Sequence, residues 1–221
     1  MLDKTEFIKF LITQRALKFG DFTTKSGRKS PYFINMGEFG TGAAIDRLGG
    51  FYAAKIVDLM EAGDITWDVD TIFGPAYKGI PLCVSTAAAL ARDHGADISW
   101  AFNRKETKDH GEGGSFVGER LKDGDNILIL DDVITAGTAV REVLPLLSAA
   151  AAVKVQGMVI AVDRMERGQS DVSAIAEVRR DFGIAVFPII TVRDIIEYVR
   201  AAGESGELIT RMEAYLAAYG A

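Results

Sequence analysis

Five apolar runs of strand length, at 71–73, 98–102, 126–130, 155–162 and 184–190, alternate with stretches patterned as helices. Those helical stretches fall near 81–94, 138–151 and 173–182, and two more, near 192–202 and 208–219, close the chain. Runs apolar at every position, rather than at alternate ones, mark strands buried on both faces, and strands joined by helices run parallel. The expected class is therefore α/β, a central parallel sheet flanked by helices. Ligands of such sheets bind beyond the carboxyl ends of the strands, so the residues that follow each strand carry the functional information.

The first forty residues read as an addition to this core. Asp3 and Glu6 form a capping-box pattern, and Phe7, Ile8, Leu11 and Ile12 then recur at helical spacing. A turn-rich stretch, 25–31, joins extended pieces at 21–24 and 32–35, and a helix is expected over 44–60 despite Gly49 and Gly50. A chain of 221 residues is expected to form one domain, 1–221. No apolar run reaches the roughly 18 residues of a membrane span, and the charged N-terminus does not read as a signal peptide. With a single cysteine, Cys83, and two histidines, a His/Cys zinc site is excluded. A cytoplasmic location fits this usage. Twenty-five Lys and Arg against 31 Asp and Glu give a net charge of −6, which argues against a broad nucleic-acid face. It does not exclude a small polyanion bound by local focusing.

The strand ending at Leu130 runs into Asp131, Asp132, Val133, Ile134, Thr135, Ala136, Gly137, Thr138 and Ala139. Adjacent carboxylates at a strand exit can accept bonds from vicinal hydroxyls or help hold a hydrated Mg²⁺. The small, hydroxylated residues that follow can turn backbone N–H groups toward an anion at a helix start. Taken alone, the same residues also describe a strand, a turn and a helix cap. The stretch ILILDDVITAGTA (127–139) resembles the signature of the type I phosphoribosyltransferases, in which it cradles the ribose and 5′-phosphate of phosphoribosyl pyrophosphate (PRPP). The resemblance implies that residues 131–139 bind PRPP. It also implies that Mg²⁺ is held mainly through PRPP, with help from Asp131 and Asp132.

After the strand at 71–73 comes GPAYKGIP (74–81). Its Gly74/Gly79 spacing mimics a nucleotide P-loop, but Ile80 stands where that motif needs Lys. What remains is a Gly-bounded loop presenting Tyr77 and Lys78, the place where type I enzymes receive pyrophosphate. The segment FNRKETKDHGEGG (102–114) has three cations, three acids and His110, as a solvated loop would, but it also has glycines suited to a lid. It closely resembles the catalytic loop of the orotate branch of the family. That resemblance implies contacts from Arg104, Lys105, Lys108 and His110 to pyrophosphate, and a homodimer sharing the lid between subunits.

Segment KSGRKSPYFIN (25–35), by itself a basic hairpin, is similar to the N-terminal hood of the same branch. There the lysine, Lys25 here, contacts PRPP, and the aromatic strand, here with Phe33 and Ile34, covers the base. Arg164, in VDRMERG (162–168), matches the arginine that pairs the orotate carboxylate, and Thr135 is implied in the same pocket. The expected function is phosphoribosyl transfer from PRPP to orotate by positioning and electrostatics, with Asp131, Asp132, Arg104, Lys105, Lys108 and His110 as its catalytic groups. A fused decarboxylase barrel of about 250 residues does not fit the length. A type I transferase for another base, or a non-catalytic PRPP-sensing regulator, remains open at this level.

Overall fold

The computed structural model describes all residues except 1, 25–26, 106–114, 135–136, 169 and 205, and the side chain of Thr138. The chain opens with α1 (Lys4–Thr13), a hairpin of β1 (Leu17–Thr23) and β2 (Lys29–Ile34), a 3-10 turn (Met36–Glu38) and a long α2 (Gly42–Ala62). Next come β3 (Thr71–Phe73), α3 (Gly79–His94), β4 (Ser99–Asn103) and β5 (Phe116–Gly118). Then follow β6 (Asn126–Asp131), α4 (Thr138–Ala150), β7 (Lys154–Asp163), α5 (Ala174–Phe182), β8 (Val186–Thr191), α6 (Val192–Ala201) and α7 (Gly206–Tyr219).

The main sheet has the order β5-β4-β3-β6-β7-β8. Neighbours run parallel except at one edge, where β5 pairs antiparallel to β4 in the register Asn103↔Phe116. The central sheet is parallel as expected, and β5 is an additional antiparallel edge strand. Three residues with two apolar side chains carry too little pattern to announce a strand, and β4 supplies the template. From the central pair the chain departs in opposite directions, from β3 through α3 to β4 and from β6 through α4 to β7. The switch point of the sheet therefore lies between β3 and β6.

Strand alternation divides the core into two layers. Leu128, Leu130, Val159 and Ala161 face α2, α3 and α6, whereas Ile127, Ile129, Met158 and Ile160 face Val140, Val143 and Leu147 of α4 and Val178 of α5. Each fully buried Leu or Ile contributes about 1.5–3 kcal/mol, so these continuous apolar strands fix the sheet. The N-terminal elements share the first layer: Phe7, Phe10 and Leu11 of α1 and Leu17 of β1 are buried in it. Asp3 caps α1 by accepting the Glu6 N–H at 3.1 Å. The Glu6 carboxylate, however, pairs with Lys9 and Arg47, so half of the expected capping box forms. Helix α7 packs on the hairpin, with Tyr215 edge-on to Tyr32 at 5.8 Å between ring centres.

Candidate active site

Four strand exits meet the carboxyl edge of the sheet, and they bring together the segments the sequence singled out. From β6, Asp131 and Asp132 are both buried. The Asp131 carboxylate accepts the Asp132 N–H at 2.8 Å, and Asp132 in turn accepts the Val133 N–H at 2.7 Å. Burial and the neighbouring Asp132 charge push the Asp131 carboxyl up to about 7. Below, the Tyr52 hydroxyl of α2, fully buried, donates to the Asp131 carbonyl at 2.7 Å. Val133 packs toward one core layer and Ile134 into the other, so these two residues offer the loop their backbone.

From β3, the loop carrying Lys78 crosses to this pair. Lys78 Nζ donates to Asp132 Oδ2 at 2.6 Å, joining the two sides of the switch point. The glycine spacing has a steric cause. A Cβ on Gly79 would lie 2.6 Å from the Gly74 carbonyl carbon, and one on Gly74 would run into the Gly79 backbone. The Ala76–Tyr77 peptide is cis, and the Ala76 N–H donates to Asn103 Oδ1 at 2.9 Å, tying the loop to the end of β4. Tyr77 itself is exposed.

The two helices that follow the central strands, α3 after β3 and α4 after β6, begin without a side-chain cap, at Lys78 and at Gly137. By contrast α1, α2, α5 and α6 are capped by Asp3, Thr41, Ser173 and Thr191. Gly137 has φ +66, in the left-handed region that favours glycine, which lets the loop turn sharply into α4. Ala139 lies in the first turn of that helix. First-turn N–H groups not engaged by a cap are suited to phosphate oxygens.

Arg104 and Lys105 stand at the neck of the β4–β5 hairpin, where the Arg104 N–H donates to the Ser115 carbonyl at 2.7 Å. Lys105 Nζ reaches Glu142 of α4 at 3.3 Å. Lys25, Lys108, His110, Thr135 and Ala136 lie outside the described residues, as does the Thr138 side chain.

From β7, Arg164 is largely buried and its guanidinium lies over the Tyr32 ring, 4.6 Å from the centroid. Its Nε donates to Glu166 Oε1 at 2.7 Å, and its Nη2 lies 2.5 Å from the same oxygen as an ion pair. Burial opposes the charge of Arg164, but Tyr32 and Glu166 outweigh it and leave its pKa raised. Glu166 also accepts from the Tyr215 hydroxyl at 3.1 Å and from Arg28 Nη1 at 3.3 Å. Because side chains alternate along β2, Tyr32 faces Arg164, while Phe33 turns to the other face and stacks on Phe22 at 5.4 Å. Ile34 is half-buried against the first core layer. Phe33 therefore has its backbone, not its ring, on the Arg164 side. Sequence reasoning did not single out Tyr32, Glu166, Tyr215, Arg28, Asn103 or Tyr52. Only Glu166 left a signal, its place two residues after Arg164.

The phosphoribosyl transferase domain model matches residues 37–187. The chain is 55% identical over 223 residues to an orotate phosphoribosyltransferase of Bifidobacterium adolescentis, covering 97% of this chain and 96% of that protein. It is 50% identical to that of Pseudomonas aeruginosa, covering 97% of each. Among solved structures, the orotate phosphoribosyltransferase of Francisella tularensis superposes with a TM-score of 0.85 at 39% identity, over 98% of this chain and 100% of that one. The UMP synthase of Leishmania donovani shares the fold, with a TM-score of 0.73 at 24% identity, over 98% of this chain and 42% of that one. On the strength of identity that runs through nearly the full length of both proteins, this chain belongs to the orotate phosphoribosyltransferase family.

Proposed function

We propose that the chain transfers the phosphoribosyl group of PRPP to orotate, giving orotidine 5′-monophosphate and pyrophosphate in pyrimidine biosynthesis. The observation that carries this reading is the meeting of two strand-exit loops at the switch point, where Lys78 grips Asp132 beside the buried Asp131. A cation and two carboxylates at one point serve a substrate with both a pyrophosphate and vicinal hydroxyls.

In this reading Asp131 and Asp132 orient the ribose hydroxyls, while the backbone of 133–139 and the start of α4 receive the 5′-phosphate. Tyr77 and Lys78 attend the pyrophosphate. As the C1′–O bond breaks, Arg104, Lys105, Lys108 and His110 stabilise the departing negative charge, and orotate N1 forms the new bond to C1′. No covalent bond to the protein is needed, and catalysis is positioning plus electrostatics. Closing the 104–114 lid keeps water from C1′. Lys25 contacts PRPP from the hood, Phe33 and Ile34 cover the base through their backbone, Thr135 lines the same pocket, and Arg164 faces the orotate carboxylate.

The described residues contain no group of three or more His, Cys, Asp or Glu side chains that could hold a metal by itself. The acidic pair suits a hydrated Mg²⁺ held chiefly through PRPP oxygens, assisted by Asp131 and Asp132. When bound, Mg²⁺ supplies charge neutralisation for the leaving pyrophosphate.

Residues 1–221 act as one phosphoribosyltransferase domain to which residues 1–40 contribute the hood. The lid serves a homodimer, reaching the neighbouring subunit, and its position on an edge hairpin supports this. Among the described residues no helix is long and apolar enough to cross a membrane. Cys83 is a free, buried thiol, in keeping with work in the cytoplasm.

Competition decides the base. With PRPP and Mg²⁺, a mixture of orotate, uracil and adenine should lose orotate alone, and consumption of uracil or adenine in its place would overturn the assignment.

A further inference from the structure

Arg164 has five N–H donors in one plane, and its own chain engages them unevenly. Glu166 Oε1 accepts from Nε and pairs ionically with Nη2 at 2.5 Å, while Nη2 donates to the Tyr215 hydroxyl at 3.5 Å. Among the described residues, no side chain or carbonyl accepts from Nη1. The Tyr32 ring beneath fixes the plane, and Glu166 fixes the rotation within it.

Three further features build this grip. Met165, between the two residues, has φ +53, a left-handed conformation uncommon for a side chain of its kind. Asp163 Oδ1 holds that turn by accepting the Met165 N–H at 2.8 Å. The turn lets Arg164 and Glu166 meet, where an extended strand would set them side by side. Residues 219–221 secure the same loop, through Arg167 N–H to the Tyr219 carbonyl at 2.9 Å and Ala221 N–H to the Met165 carbonyl at 3.0 Å. Glu166 Oε2 reaches Arg28 of the hood, so one carboxylate joins the β7 exit, the hood and α7.

We infer that Glu166 is the positioning residue for the base: it clamps one edge of the Arg164 guanidinium so that the remaining edge is presented to the carboxylate of orotate. This rests on the reading of Arg164 as the carboxylate ligand. Two consequences of removing the Glu166 charge oppose each other. A freer pair of arginines would attract an anion more, but an unaimed guanidinium cannot make the planar two-point contact. The aimed contact dominates, because bidentate recognition depends on the orientation of the fork.

The test is steady-state kinetics on the whole enzyme, with KM measured separately for orotate and PRPP. Glu166→Gln should raise the orotate KM by about tenfold, the effect of one charge-assisted hydrogen bond, with the PRPP KM held within about twofold. Tyr215→Phe, which keeps the ring and removes one donor to Glu166, should raise the orotate KM by about threefold. Arg164→Lys should raise it at least as much as Glu166→Gln. The double variant Glu166→Gln/Arg164→Lys should be no worse than Arg164→Lys alone, since Glu166 acts through Arg164. If Arg164→Lys weakens orotate while Glu166→Gln leaves the orotate KM unchanged or lower, the positioning role is overturned and the Arg164 reading survives. An unchanged orotate KM in Arg164→Lys removes the Arg164 reading itself. Equal rises in both KM values for Glu166→Gln would show a merely structural role. Should that variant fail to fold, Tyr215→Phe decides, with an unchanged orotate KM counting against the inference.

Discussion

Lys78 Nζ and Asp132 Oδ2 lie 2.6 Å apart, a bond between the loops that leave the two central strands of the sheet in opposite directions. Asp132 is nearly buried, whereas the Lys78 side chain is 62% exposed, so the pair sits at the mouth of the crevice. An ion pair so placed contributes about 0–1 kcal/mol to stability. Its importance therefore lies in the substrate it meets.

Lys78→Ala should lower kcat/KM for PRPP by at least about tenfold, a loss of roughly 1.4 kcal/mol of transition-state stabilisation. Thermal unfolding should move by no more than about 3 °C. A large melting shift with normal turnover would reverse the roles assigned to this bond.

Asp131→Asn should stabilise the ligand-free protein at alkaline pH. The Asp131 carboxyl is raised to about 7 by burial and by Asp132. The native state therefore holds a proton that the unfolded chain releases near pH 4. The stability this group confers is fully present below about pH 4 and falls as pH rises toward 7. Asparagine escapes that loss while its side-chain oxygen can still accept the Asp132 N–H. Melting curves of the two proteins should converge at and below about pH 4 and separate by roughly 2–6 °C at pH 8, the variant being higher. Its turnover should nevertheless be strongly reduced. A variant that melts lower than the parent at pH 8 would contradict the burial penalty.

Gly79→Ala should destabilise the fold by about 2–3 kcal/mol, because the new Cβ would lie 2.6 Å from the Gly74 carbonyl carbon. Urea unfolding measures this directly. A variant as stable as the parent would mean that the two backbones need not approach so closely.

Lys105→Ala and Asp131→Ala should each abolish most activity as homodimers. Mixed dimers should recover a fraction of it, since one site then combines an intact lid with an intact acidic pair. Verified heterodimers with no recovered activity would count against a lid exchanged between subunits.

Most of the sheet was legible because its strands are apolar at every position. The run at 71–73 corresponds residue for residue to β3, and those at 126–130 and 155–162 extend by one or two residues into β6 and β7. The hairpin was placed late, at 21–24 rather than from Leu17. Its first residues follow closely on α1, and the reversal depends on Arg15 at φ +59, which composition does not announce. β5 escaped because its register comes from β4.

At the site, Asp131 and Asp132 were legible as carboxylates directly after an apolar strand, Lys78 through the Gly-bounded loop beyond β3, and Arg164 only through the family resemblance. The surroundings of Arg164 were not. Tyr32, Tyr215 and Arg28 reach Glu166 across 134, 49 and 138 positions, and only the packing of α7 on the hairpin brings them together. On β2, Tyr32 takes the place facing Arg164, so the Phe33 ring lies on the opposite face, against Phe22.

The most direct measurement is the loss of orotate absorbance by the purified enzyme, followed together with pyrophosphate release. Orotate should disappear only when PRPP and Mg²⁺ are both present, with one pyrophosphate released for each orotate consumed. Orotate absorbance that stays constant under these conditions, or falls without PRPP, would contradict the assignment.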